Sequence, residues 1–152
     1  MYQPISTKTH GVLDYLTAGT FFALPRLLGW SRSLTNAMTA IAATKLGYAL
    51  LTRHELGAVK LIPMKAHLAL DGAVGASLCA LPFVLDEDDV DAGAPAALVS
   101  LGLFDIAAAP LTQTRASFDR PATEAPVLRG AYVATEGRDP AADVVNAART
   151  GA

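Results

Sequence analysis

The sequence predicts an all-α protein: a four-transmembrane-helix bundle built from two tandem helical hairpins, related by a pseudo-two-fold along the membrane normal and followed by an extended C-terminal tail. Three observations predict it. A stretch from Lys8-Thr9-His10 through Asp14 to Ala23-Leu24-Pro25 returns 57 residues later as Lys65-Ala66-His67 through Asp71 to Ala80-Leu81-Pro82, with seven of 18 aligned positions identical. Four apolar segments of about 18 to 22 residues each carry almost no charge, which suits a hydrocarbon core roughly 30 Å thick. After Thr112 the composition turns polar. The expected division is a transmembrane domain over 1–112, with repeats at about 8–55 and 65–112, and a polar tail over 113–152.

The first helix is expected over 7–28, with Ser6 or Thr7 as N-cap. Pro25 and Gly29 close it, and Pro4 keeps the lead-in extended. Trp30 is expected at the water interface, where amphipathic aromatics are enriched, and Arg26 extends its head group into water. The second helix, 34–52, has a small-residue face of Ala37, Ala40, Ala43 and Gly47, with Lys45 as its one charge. Pro63 suits the first turn of the third helix, 63–84, where Gly72 and Ala76 form another small pair. The run Asp86-Glu87-Asp88-Asp89-Val90-Asp91 reads as a solvated acidic loop. The fourth helix, 94–112, contains Asp105 alone. From 113 on, Arg alternates with Asp and Glu, Pro121, Pro126 and Pro140 interrupt, and only 139–148 has a helical period.

A soluble bundle would show a wet stripe every 3.6 residues, and the stretch Leu34–Leu51 offers too few polar residues for one. Hydrophobic residues make up 52% of the chain and charged residues 17%, against about 25% charged in an ordinary globular protein. A net charge of −2 leaves no basic footprint for nucleic acid. The one cysteine, Cys79, cannot form an intramolecular disulfide. Pro25-Arg26 follows the first apolar run in place of a small-residue cleavage site, so that segment is expected to remain in the protein. Lys8, Arg53, Lys60, Lys65, Arg115 and Arg120 fall on one side of four spans. That side is expected to be cytoplasmic, which makes the chain a multi-pass protein of the cell (inner) membrane with both termini in the cytoplasm.

Charges within spans are costly and therefore informative. Asp14, Lys45, Asp71 and Asp105 each lie seven or eight residues from the cytoplasmic end of their helix, about 10–12 Å deep at 1.5 Å per residue. Four helices thus contribute one charge each to one stratum. His10 and His67 sit one turn nearer that end, on the faces of Asp14 and Asp71. At the 57-residue offset, Tyr48 falls where the second hairpin has Asp105.

The layer His10, Asp14, Lys45, His67, Asp71 and Asp105 admits four readings. A structural layer would fix helix pairing and register, with Lys45 neutralising one carboxylate and the histidines bonding the others. The two His-x-x-x-Asp pairs also form a set that suits Zn²⁺, and the two imidazoles alone would suit a haem. Proton or ion translocation is opposed by the apolar remainder of the bundle, which lacks a polar route to the far side. No glycine-rich phosphate loop follows a strand, no serine has a base partner, and the acidic loop lacks calcium-loop spacing.

Two hairpins, each with a proline closing its first helix, resemble the SPW-repeat family of small bacterial and archaeal integral membrane proteins. The places of Ser-Pro-Trp read Ala23-Leu24-Pro25 and Ala80-Leu81-Pro82-Phe83 here, so proline is kept and serine and tryptophan are not. The resemblance spans about 8–112 and implies a membrane protein with no catalytic residue to carry over. The expected function is accordingly non-enzymatic and without a cofactor or metal. It is that of an accessory or scaffold subunit, packing its small-residue faces against partner membrane proteins or a second copy and laying its tail on a cytoplasmic partner. The alternative is a membrane protein that handles a small ligand, a metal or haem, or a proton or ion through the His/Asp/Lys layer.

Overall fold

The computed structural model describes residues 3–119, so the part of the expected tail from 120 to 152, including its short helix, lies outside the described residues. The described residues are all-helical: α1 (Thr7–Leu27), α2 (Arg32–Leu51), α3 (Met64–Val84) and α4 (Ala94–Leu111), with short 3-10 turns at Glu87–Asp89 and Ser117–Asp119. Each bound falls within two residues of its sequence expectation. α3 and α4, with mean hydropathies of 1.5 and 1.6, are the two described helices long and apolar enough to cross a membrane.

Local chemistry explains the ends. Ser6 caps α1 by accepting from the Thr9 N–H, and Ser31 caps α2 by accepting from the Leu34 N–H. α1 stops where Gly29 takes a left-handed φ of 66°, which lets the Trp30 N–H reach the Pro25 carbonyl at 2.9 Å. Pro25 and Pro82 each lie two residues before the end of α1 and α3. The acidic loop docks as well as solvates: Asp91 Oδ2 accepts from the Ser31 N–H at 2.7 Å, tying the two short loops together.

α1 packs along α2 and α3 along α4, and far fewer contacts join one hairpin to the other. Each helix buries a narrow stripe with three- and four-residue steps: His10, Asp14, Ala18, Phe21 and Pro25 in α1, and His67, Asp71, Gly75 and Leu78 in α3. At one end of these stripes Phe21, Trp30, Leu34, Met38, Leu78 and Leu98 form an apolar core. Trp30 is therefore inside this core, because the Gly29 turn folds it back. Arg26 is exposed, lies over the Phe22 ring at 3.8 Å and donates to Thr39.

The two hairpins make matching contacts, but at two offsets. Ile5 bridges Thr112 as Ile62 bridges Thr52, and Gln113 N–H meets the Ile5 carbonyl as Arg53 N–H meets that of Ile62. First helices thus correspond at 57 residues and second helices at 60. The three extra residues sit in the α3–α4 loop. Asp105 consequently corresponds to Lys45, and Tyr48 to Ala108, which corrects the assignment of Tyr48 to the Asp105 place.

α3 and α4 approach closely at Gly75 and Gly102, where a Cβ on either would lie 2.5 or 2.4 Å from the other's carbonyl oxygen. Their counterparts in the first hairpin are Ala18 and Ala42. There an apolar cleft of about 440 Å³ opens between α1 and α2, lined by Tyr15, Ala18, Phe22, Thr39, Ala42 and Leu46. Gly72, singled out as a packing glycine, faces open space. The prediction is a contrast. Gly102→Ala should lower thermal stability by about 1–3 kcal/mol through overpacking. Gly72→Ala should raise it by roughly 0.5–1 kcal/mol through helix propensity. Equal melting shifts of the two purified variants would refute the packing assignment.

Candidate functional site

At the end of the bundle opposite the apolar core, all six charged or imidazole residues singled out in the sequence meet. His10, Asp14, Lys45, His67, Asp71 and Asp105 are each no more than 3% exposed. The helices bring them there by register alone, since each occupies a position on its helix's buried stripe. Lys45 Nζ lies 3.1 Å from Asp14 Oδ1, 2.8 Å from Asp71 Oδ1 and 3.2 Å from Asp105 Oδ2, so one ammonium serves three carboxylates. Tyr48 adds a hydroxyl that donates to Asp71 Oδ1 at 2.6 Å.

The histidines pair across the hairpins. His10 Nε2 lies 2.9 Å from Asp71 Oδ2, and His67 Nε2 lies 2.9 Å from Asp14 Oδ2. The i,i+4 contacts expected within each helix are longer, at 3.5 Å for His10–Asp14 and 3.2 Å for His67–Asp71. The rings stand edge to face with centroids 5.3 Å apart and carboxylates beside them, which leaves no slot for a flat macrocycle between the two imidazoles.

Two threonines, absent from the sequence expectation, set the proton arrangement. Thr52 Oγ1 donates its one proton to the Tyr48 carbonyl at 2.6 Å while contacting His67 Nδ1 at 2.8 Å. Thr112 Oγ1 likewise donates to the Ala108 carbonyl and contacts His10 Nδ1 at 2.8 Å. A hydroxyl has one proton, so each Nδ1 must be the donor. Each Nε2 then faces a carboxylate, and a hydrogen bond on that line needs a proton of its own. Two His–Asp pairs, each neutral with one such proton, and one Lys45–Asp105 pair sum to zero charge. Among the described residues no buried side-chain nitrogen or oxygen lacks a hydrogen-bond partner. The signal for the threonines was present in Ala49-Leu50-Leu51-Thr52 against Ala109-Pro110-Leu111-Thr112, but only at the 60-residue offset.

The layer is roofed by the α2–α3 loop. His54 is fully buried: its Nδ1 accepts from the Leu56 N–H at 3.1 Å and its Nε2 donates to the Ala49 carbonyl at 3.1 Å. Burial first, and then the neighbouring His67, push its pKa below the usual imidazole range. Its ring also explains Gly11, where a Cβ would lie 2.8 Å from the His54 ring. Chain beyond Thr112 closes the roof. Ala116 is buried, Glu55 accepts from the Ser117 N–H at 2.8 Å and from Thr7 Oγ1 at 2.7 Å, and Arg53 pairs with Asp119 at 2.7 Å. Partial burial pushes the Glu55 carboxyl up, but these donors outweigh it and hold its pKa down at about 2.

No protein-family model, curated protein or solved structure matches the chain.

Two predictions arise from the layer. Lys45→Met leaves three buried carboxylates without their cation and should cost about 3–5 kcal/mol. Adding Asp105→Leu removes the unmatched charge, and unfolding of both variants in detergent should show the double variant the more stable. A single variant as stable as the parent would end the charge-balance account. At Glu55 the folded pKa is depressed from 4.5 to about 2, so its stabilisation is full above pH 4.5 and is lost as pH falls toward 2. Glu55→Gln should therefore flatten the acid limb of stability between those values, as read by thermal melts across pH.

Proposed function

We propose that this chain is a non-enzymatic integral membrane protein of four spans, a scaffold or accessory subunit whose buried ion layer joins its two hairpins in lipid. The observation that carries the reading is the inversion of an ordinary soluble interior. Lys45 and Asp71 are 1% exposed, whereas Leu16, Leu27, Phe83 and Leu103 are 63%, 80%, 84% and 55% exposed. A soluble bundle places such side chains the other way round. Hydroxyls on the outward faces support the reading too. Thr20, Thr44, Ser77 and Ser100 each donate to the carbonyl four residues back, which satisfies them where no water is available.

The partner half of the proposal rests on faces the chain leaves unused. Ala40, Ala43 and Ala76 are exposed, Gly47 and Gly72 meet nothing a Cβ would touch, and small residues of this kind let membrane helices approach closely. The occupant would be a helix of a partner membrane protein or of a second copy. The resemblance to SPW-repeat proteins enters here through Pro25 and Pro82 at matching places in α1 and α3. Both termini and the α2–α3 loop would then face the cytoplasm of a cell whose inner membrane holds the protein.

Native mass measurement after gentle detergent extraction from membranes tests the whole reading. We expect recovery only with detergent and a mass above that of one 15.8 kDa chain. Recovery in the aqueous fraction without detergent would overturn the membrane assignment. A detergent-solubilised monomer, unchanged by Ala43→Leu, would overturn the scaffold role alone.

A further inference from the structure

We propose that the centre of the layer is a divalent metal site for Zn²⁺ or a similar borderline cation, with His10 Nε2, His67 Nε2, Asp14 Oδ2 and Asp71 Oδ2 as its four ligands. This goes beyond the scaffold reading and does not rest on it. Three independent features of the geometry point to it.

The first is convergence. The four residues, all buried, place one ligand atom each within 4.8 Å of all the others, and the short His–Asp separations are 2.9 to 3.2 Å. A tetrahedral zinc with bonds of about 2.0–2.1 Å sets its ligand atoms roughly 3.3 Å apart, so side-chain adjustments of tenths of an ångström suffice on those pairs. Two imidazoles and two carboxylates with no open position make a closed, structural kind of site.

The second is the outer shell. Metal-bound histidine almost always donates its second ring N–H to an acceptor that fixes tautomer and orientation. Thr52 and Thr112 do this for both rings, because each has already given its proton to a helix carbonyl. Both Nε2 atoms are therefore aimed inward, and each becomes a ligand once the proton on its line to Oδ2 leaves. Lys45 draws on the Oδ1 atoms of Asp14 and Asp71, leaving both Oδ2 atoms toward the imidazoles.

The third is charge. The two Nε2···Oδ2 lines hold one proton each. One divalent cation entering and two protons leaving keeps the sum of the layer, Lys45 and Asp105 included, at zero. No other charge inside the bundle has to change, which is the condition a low-dielectric interior imposes. His54, whose ring lies 5.8 Å from that of His67, keeps both its own hydrogen bonds and takes no part.

The test uses the full chain purified in detergent, stripped with a chelator under mild denaturation and refolded with or without Zn²⁺. Elemental analysis should give one zinc per chain, with a melting temperature raised by zinc. Titrations in buffers of different ionisation enthalpy should report close to two protons released per zinc. Co²⁺ should give the intense visible absorption of a tetrahedral site. His67→Gln should abolish stoichiometric binding. Because that variant risks misfolding, Thr52→Val serves as the second probe. It keeps all four ligands and should weaken zinc binding about 10–100-fold with helicity unchanged. A folded chain that takes up no zinc, zinc retained by a folded His67→Gln, or binding without proton release would each overturn the site.

Discussion

One ammonium group among three carboxylates is the constraint on which the rest of the structure depends. Lys45 reaches Asp14, Asp71 and Asp105 within 3.2 Å, and these residues come from α1, α3 and α4. Each hairpin is closely packed within itself, and the two meet through the apolar core at one end and the polar layer at the other. The polar half of the joint is specific: His10 to Asp71, His67 to Asp14, Lys45 to Asp71 and Asp105, with Thr112 and Thr52 bonding the histidine of the opposite hairpin. Sliding either hairpin by one turn, about 5.4 Å, would strip every one of these partners at once. Breaking a buried pair costs about 3–5 kcal/mol because the orphaned charge stays buried, so the layer acts on register far more strongly than on net stability.

Neutrality also explains why the hairpins match in geometry yet differ at one decisive position. Two His–Asp pairs, each with a shared proton, carry no net charge whichever atom holds it. The sum then depends on the residue at the place of Lys45 and its counterpart. Lysine at both would leave the layer at +2, and aspartate at both at −2. Of the charged choices, the mixed one, Lys45 with Asp105, closes at zero. A second departure, glycine at 75 and 102 against alanine at 18 and 42, lets α3 and α4 touch through their backbones while α1 and α2 keep an open cleft. Opposite charges at the matching places of Lys45 and Asp105 thus meet the neutrality that a low-dielectric interior requires.

The helices were legible because long apolar runs end at Pro, Gly and charged residues, and each observed bound lies within two residues of its expectation. The stratum of six residues was legible for a related reason: helical rise converts position in sequence into depth. What sequence could not supply was rotational phase and pairing between helices. The i,i+4 rule favoured His10 with Asp14, yet the shorter bonds run between hairpins. Three extra residues before α4 shift the correspondence, so the 57-residue offset sets Tyr48 against Asp105 and hides the pairing of Thr52 with Thr112. Phase likewise decided which glycines pack: Gly75 and Gly102 touch, and Gly72 does not. Residues 113–119 looked coreless by composition, but backbone and side-chain hydrogen bonds to Ile5, Glu55 and Arg53 hold them on the roof.

Hydropathy averaged along a helix misses the feature that matters most here. α1 and α2 fall short of α3 and α4 in apolarity, and the residues that lower their averages include His10, Asp14 and Lys45. Those side chains meet one another, not the surroundings. The outward faces of α1 and α2 instead present Val12, Leu16, Phe22, Leu46 and Leu50. Solvent responds to the face that it touches, so the transfer free energy of each helix follows its outward stripe once the inward stripe is neutral and hydrogen-bonded. The ion layer therefore does more than join the hairpins. By satisfying its own charges it removes the polar burden of His10, Asp14 and Lys45 from the faces that α1 and α2 turn outward.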